Sequence, residues 1–292
     1  MIDWNAILRN GFFKRPGEHA LVVGATGTGK TQCLYYLLGG LRTHAPKERI
    51  VWFDTGKSSE ILGLAEQYPV MVHSPDGTTV EIKSKHPVIT APDRILQKQF
   101  AHPTELWDNM VPDRINVVSV EPFFPDPKHY SQEITEIFRI LILKARAYGF
   151  EDAGMIPMAI FMDEIQWVVP SERTALNRQH NEGAKWFQRN IELLRSMDMR
   201  IVASTQGWTK LRAGARDSFG WLFIKRGAHF SFTDRPSLAK WNRLFARLPD
   251  AGMRIVMPDQ TYSKDIIITE FYGDAKRLGT IKYKEVTTEK TT

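Results

Sequence analysis

Cysteine is almost absent from these 292 residues: Cys33 is the single one, which excludes an internal disulfide and a cysteine-ligated zinc site. No secretory signal opens the chain. The longest apolar runs fall short of the about 20 residues that a bilayer-spanning helix needs. Internal repeats and low-complexity tracts are missing as well. What remains is an ordinary globular composition, 42% hydrophobic and 25% charged, and a cytoplasmic location is expected of it. Charge is mildly one-sided, with 39 Lys and Arg against 33 Asp and Glu, a net of +6. That balance suits a polyanion such as nucleic acid, and equally a surface of solvated lysines.

Apolar runs alternate with helical patterns along the chain. Residues 1–18, carrying Trp4, Ile7, Leu8, Phe12 and Phe13, read as a lead-in that packs on the core. Strands are expected at 19–23, 49–54, 70–73, 79–82, 115–120, 157–162, 200–204 and 221–224. A closing hairpin is expected from 255–257 with Ile266 to Thr269. Helices are expected at 32–41, 131–148 and 185–196. Such alternation implies an α/β fold with a mainly parallel, doubly wound sheet covered by helices on both faces. One domain spans 19–285, with 83–112 as an insertion holding some helix around 95–100, and 286–292 as a loose polar tail. Cys33 falls on the first turn of a helix, where a small buried hydrophobe fits.

The sharpest local signal is Gly24-Ala25-Thr26-Gly27-Thr28-Gly29-Lys30-Thr31, which satisfies the full Walker A spacing with a strand before it and a helix after it. Glycines let the backbone wrap a phosphate and aim consecutive N–H groups at it, and the helix N-terminus adds its positive end. Lys30 is suited to the β- and γ-phosphates of ATP, Thr31 to Mg2+, and Gln32 completes the cradle. Downstream, the apolar run Met158-Ala159-Ile160-Phe161-Met162 ends in Asp163 and Glu164. Asp163 is suited to hold Mg2+ and Glu164 to deprotonate the attacking water, although acids at strand ends also cap helices. Ser204-Thr205-Gln206 closes another strand expected between the two Walker strands, where Gln206 could sense the γ-phosphate or position water.

With these residues together, the chain resembles the FtsK–HerA superfamily of RecA-like P-loop motors. The matching segments are 22–31, Val51-Trp52-Phe53-Asp54 with Lys57 and Glu60, 159–164, and Ile191-Glu192-Leu193-Leu194-Arg195 leading to Ala203-Ser204-Thr205-Gln206. The resemblance covers most of 18–260. It implies an ATP-hydrolysing, DNA-moving homo-oligomeric ring, a hexamer in this family. An AAA+ module would show a shorter interval between the Walker motifs and an asparagine sensor, and an ABC ATPase a serine-glycine-glycine signature. Membrane segments and an N-terminal barrel, found in other branches, are not expected here. Size then favours a viral genome-packaging ATPase acting on double-stranded DNA, in the host cytoplasm or with the virion, and docked to a capsid or membrane-vertex protein. A soluble conjugative coupling ATPase and an ATP-dependent switch on a protein partner are the alternatives.

In a RecA-like ring the loops after the Walker B and sensor strands face the channel. Here they are 171–183 and 207–219, offering Arg173, Arg178 and His180, then Lys210, Arg212 and Arg216. Contacts of this kind track the phosphate backbone and weaken with salt, while an ordinary solvated loop would look the same. Ring ATPases complete each site with an arginine from the neighbouring subunit. Arg195 and Arg226 are the candidates, with Arg216 and Arg235 in reserve.

Overall fold

The computed structural model describes residues 3–54, 59–124, 126–150, 156–268 and 275–285. In chain order its strands are β1 (Ala20–Val23), β2 (Arg49–Asp54), β3 (Val70–Pro75), β4 (Thr78–Lys83), β5 (Ile95–Phe100), β6 (Ile115–Ser119), β7 (Met158–Met162), β8 (Met199–Thr205), β9 (Trp221–Ile224), β10 (Gly252–Val256), β11 (Ile266–Ile267) and β12 (Thr280–Glu285). The chain divides into two compact units, Met1–Glu48 with Met155–Phe271, and Arg49–Gly154 with Tyr272–Thr292, where the sequence pattern suggested one domain over 19–285. Both units are α/β, with mainly parallel strands flanked by helices. Lys57, Thr269 and the tail 286–292 lie outside the described residues.

The first unit carries the strand order β11-β10-β9-β1-β8-β7. β1 runs parallel to both β8 and β9, and β7 parallel to β8; β10 and β11 close the edge antiparallel. Every residue of β1, β7, β8 and β9 is buried, which explains why β1, β7 and β9 read as unbroken apolar runs rather than as alternation, while β8 also buries Arg200, Ser204 and Thr205. β8 therefore lies between the two Walker strands, as its sequence position implied.

The lead-in folds as a helix, Trp4–Leu8, capped by the Asp3 carboxylate on Ala6 N–H, and a π turn, Arg9–Phe13. Phe12 and Phe13 are buried, Phe12 against Trp221 and Phe223. The tip of the Phe13 ring abuts Gly40 of the helix Lys30–His44, and the ring stacks on His44. A methyl at Gly40 would collide with that ring, which Phe12 and His44 hold in place. Gly40→Ala should therefore destabilise the fold by about 1–3 kcal/mol, seen as a lower urea midpoint at unchanged slope.

In the second unit β2, β6, β3 and β5 form a parallel array in that order, and β4 pairs antiparallel with β12. Here the structure corrects the sequence pattern. Residues 95–100, expected to hold helix, form edge strand β5, and the helix lies just after it at Pro103–Asn109. The segment 83–112 thus supplies a strand of the array. Its outward side is solvated, so Gln97, Lys98 and Gln99 break the apolar pattern. Gln97 instead uses its amide on the backbone of Val80, donating at 2.7 Å and accepting at 3.1 Å. β12, also not anticipated, brings Tyr283 to Asp54, whose Oδ2 accepts from Tyr283 at 2.8 Å and Ser119 at 2.7 Å.

Helices run longer than their apolar stripes suggested: Lys30–His44, Pro127–Phe150 and Arg178–Ser196. Asn177 caps the last of these, its side chain accepting from His180 N–H at 2.8 Å. Among the described residues no helix is long and apolar enough to cross a membrane. Cys33 is buried, its thiol 3.8 Å from Met253 sulfur, and burial pushes its pKa up to about 12.

Candidate active site

The carboxyl ends of β1, β7 and β8 converge in the first unit, and each delivers one motif. β1 runs into the glycine loop, where Gly27 and Gly29 take φ of 76° and 79°, a conformation that other residues resist. Gly24 N–H bonds Thr205 O at 3.2 Å and Ala25 N–H bonds Arg226 O at 3.0 Å, so both flanking strands anchor the loop. Thr28 ties the loop to itself, its hydroxyl donating to Ala25 O at 2.8 Å. Thr26 stands exposed on the loop and Gln32 on the first turn of the helix that begins at Lys30.

Asp163 is buried with both carboxylate oxygens engaged. Thr31 donates to Oδ2 at 2.9 Å and Ser204 donates to Oδ1. Glu164 follows in the left-handed region, φ 55° and ψ 49°, a conformation that costs a non-glycine residue about 1–2 kcal/mol. Strain of this kind concentrates at functional positions. Here it turns the Glu164 carboxylate out of the strand line onto Lys30, whose Nζ lies 3.5 Å from Oε1. Gln206 Nε2 donates to the same Oε1 at 3.1 Å, and Gln166 donates to Oε2.

These residues fit a magnesium–nucleotide. Lys30 spends its ammonium on Glu164 and on the loop carbonyl of Ala25, at 3.3 Å, which are the partners a phosphate would replace. A Cβ at Gly27 would meet nothing within 4 Å, so the loop stands open over its concave side. The Thr31 hydroxyl and Asp163 carboxylate form the hard oxygen pair that Mg2+ prefers.

Two contributors carry no role in the sequence pattern. Ser204 holds Asp163 and also accepts from Glu164 N–H at 3.3 Å, so it sets both acids. Ser204→Ala should weaken Mg2+ affinity about 10- to 100-fold, as for other groups that orient a metal ligand, read as a rise in the Mg2+ concentration for half-maximal ATP hydrolysis. Lys225, directly after β9, is buried behind the loop. Its Nζ donates to Asp250 O at 3.0 Å and lies close to Gly29, and burial lowers its pKa. A lysine closing an apolar strand beside the Walker A strand was the available signal.

The arginines are placed differently from one another. Arg226 pairs with Asp250 beside the glycine loop of its own chain. Arg195 precedes β8, at the end remote from Gln206, and pairs with Glu18 at 2.8 Å. A seven-residue strand puts roughly 20 Å between them. The two basic loops are more ordered than expected. Residues 178–183 belong to a helix with His180 buried in it, its Nε2 donating to Trp167 O at 2.8 Å, and Ala213–Asp217 is a further helix. Arg212 and Arg216 are buried and paired with Glu172 at 3.1 Å and Asp234 at 3.3 Å. The guanidiniums of Arg216 and Arg235 both lie over the buried Trp208 ring, 5.4 and 5.0 Å from its centre. Arg173, Arg212 and Arg216 line one cleft of about 740 Å³, while Arg173, Arg178 and Lys210 are exposed.

No protein-family model and no curated protein matches the chain. Among solved structures it is similar to the genome-packaging NTPase B204 from Sulfolobus turreted icosahedral virus 2. The complex with AMPPCP superposes with a TM-score of 0.52 at 12% identity, over 87% of this chain and 99% of that one. The sulfate complex gives 0.50 at 14%, over 88% and 99%. The conjugation coupling protein TcpA of pCW3 gives 0.46 at 11%, over 90% and 62%. ATPases 2 and 3 of EccC from Thermomonospora curvata give 0.46 at 14%, over 86% and 38%. At such identities the likeness is one of fold: this chain shares the mixed α/β P-loop NTPase fold of B204.

Proposed function

We propose that this chain hydrolyses ATP to move double-stranded DNA, as the motor of a homo-oligomeric ring in viral genome packaging. The observation that carries the proposal is the convergence of Lys30, Thr31, Asp163, Glu164 and Gln206 at one end of the first unit's sheet. The shared fold with a packaging NTPase adds to it. ATP with Mg2+, when bound, supplies the phosphoanhydride that is cleaved. Gly24 to Thr31 would cradle the phosphates with backbone N–H groups, and Lys30 would neutralise their charge. Thr31 and Asp163 would hold the metal. Glu164 would take the proton of the attacking water, with Gln206 positioned to register the change. Arg173, Arg178 and Lys210 are the exposed cations available to a DNA backbone.

ATP turnover with and without double-stranded DNA, across a salt series, tests this. Stimulation should appear at low salt, fade as salt rises, and vanish in Lys30→Ala. Turnover indifferent to DNA at every salt concentration would remove the DNA part of the proposal. One observation favours a second reading in that event. Arg212 and Arg216 are already paired with Glu172 and Asp234, which leaves fewer cations for a nucleic acid and favours a nucleotide switch that acts on a protein partner. In a ring, an arginine from the neighbour would complete each site. Mixing Lys30→Ala subunits with Arg195→Ala or Arg226→Ala subunits should restore turnover for the arginine that acts in trans.

A further inference from the structure

Gln206 is held at both ends of its side-chain amide. Its Nε2 donates to Glu164 Oε1 at 3.1 Å, while its Oε1 accepts from Lys210 Nζ at 3.1 Å. An amide has a donor end and an acceptor end, and a cation on the oxygen dictates which end faces Glu164. Lys210 therefore presents the donor end. Lys30 pairs ionically with the same Glu164 oxygen at 3.5 Å and Gln166 donates to the other, so Oε1 already has two partners, the Gln206 amide and the Lys30 ammonium. A water could not be activated there without displacing one of them. Lys30 leaves when a phosphate offers itself, but the contact through Gln206 stays.

Lys210 is built to choose between partners. Its backbone is fixed: its carbonyl accepts from Ser171 N–H at 2.7 Å and from the Thr174 hydroxyl at 3.3 Å, and the next residue bridges to Pro170. Its side chain is exposed and its ammonium bonds only a neutral amide oxygen among the contacts of the described residues. An anionic oxygen makes a hydrogen bond roughly twice as strong as a neutral one, so a phosphate arriving there outcompetes Gln206.

We propose that Lys210 is a polyanion-responsive latch on the hydrolytic base. With no polyanion present, Lys210 fixes the Gln206 amide against Glu164 and restrains hydrolysis. When a backbone phosphate draws Lys210 away, the amide is free to turn and Glu164 Oε1 becomes available to the attacking water. This rests on ATP hydrolysis being the activity. Lys210 acts through Gln206 and is a positioning residue, touching neither the nucleotide nor the water.

The test is Lys210→Met. Its turnover without DNA should rise by a factor in the usual range for a coupling between sites, about 5- to 150-fold. KM for ATP should stay unchanged, and added DNA should raise the rate little further. Lys210→Arg should restore the low basal rate and the response to DNA. A basal rate equal to or below wild type in Lys210→Met, with only the stimulated rate reduced, would make Lys210 a plain DNA contact and overturn the latch. A second readout needs no nucleotide. With glutamine side chains labelled with 15N, the Gln206 amide signal, assigned by its loss in Gln206→Leu, should move when a short DNA duplex is added to the wild-type protein. It should move toward its position in unliganded Lys210→Met, and a signal that stays in place on DNA binding would overturn the proposal. Inorganic polyphosphate in place of the duplex should move it likewise. If the hydrolysis reading itself is wrong, wild type turns over no ATP in either condition while the amide signal still responds, so the two failures are distinct.

Discussion

Glu164→Gln is expected to lower the rate of ATP hydrolysis by about 10²- to 10⁴-fold, the range for losing a positioned general base, while nucleotide binding survives. Glutamine keeps the size of the side chain and an oxygen that Gln206 can still donate to at the Oε1 position. It cannot take a proton from water. It also gives up the charge that holds Lys30 at 3.5 Å, so Lys30 becomes freer to meet a phosphate and affinity for ATP should hold or rise. Lys30→Ala behaves differently, losing binding and turnover together. Titration with a fluorescent ATP analogue, paired with single-turnover hydrolysis, separates the two. A single-turnover rate within threefold of wild type would remove Glu164 from the role of base. The left-handed backbone at Glu164 argues the same way, because a strained residue is retained where its side chain must point in one direction.

The parts of this site that could be read from sequence are those in which local chemistry and burial agree. The glycine loop announces itself because positive φ favours glycine at Gly27 and Gly29. Asp163 and Glu164 announce themselves because two acids end an otherwise wholly apolar, wholly buried strand. Gln206 was legible from its place after β8, which the sheet sets between the Walker strands. What escaped depends on distant partners. Ser204 looks like one more small residue closing a strand until Asp163 is seen against it. Arg212 and Arg216 read as free loop cations available to a phosphate backbone because their counterions, Glu172 and Asp234, come from separate segments. Edge strand β5 escaped for the opposite reason: with one side in water it carries no apolar period, and the alternating glutamines Gln97 and Gln99 were its only trace. Asn177 was a readable helix cap, but the first turn after it, Arg178-Gln179-His180-Asn181, is too polar to look like a helix start.

The largest stability effect is expected away from the candidate site, at Arg200. This arginine, in β8, is fully buried. Its Nε donates to Glu48 Oε1 at 2.7 Å, its two terminal nitrogens donate to Phe12 O at 2.7 Å and Phe13 O at 3.3 Å, and its guanidinium lies 5.0 Å from the centre of the Phe12 ring. Glu48 Oε2 is buried with no hydrogen-bond partner among the described residues, so the pair is incompletely satisfied. Burial accordingly pushes the Glu48 carboxyl up to about 7 in spite of Arg200 beside it. The folded protein thus holds this proton more tightly than the unfolded chain does. The contribution of Glu48 to stability is therefore best in acid and declines as pH rises from the ordinary carboxylate range through about 7. Arg200→Met leaves the carboxylate buried without its counterion and should cost about 3–5 kcal/mol. The cost should be greater at pH 8 than at pH 5, where Glu48 can take up a proton. Adding Glu48→Leu removes the orphaned charge and should recover much of the loss. The recovery stays incomplete, because Phe13 O loses the Arg200 donor and Phe12 O keeps only backbone donors such as Arg15 N–H at 3.2 Å, at about 1–3 kcal/mol for a buried group left unpaired. Urea unfolding of the two single variants and the double, at both pH values, measures this. If the double variant is as unstable as Arg200→Met, the damage comes from the lost carbonyl contacts and the cover over Phe12, and the charge pair is not what the fold depends on there.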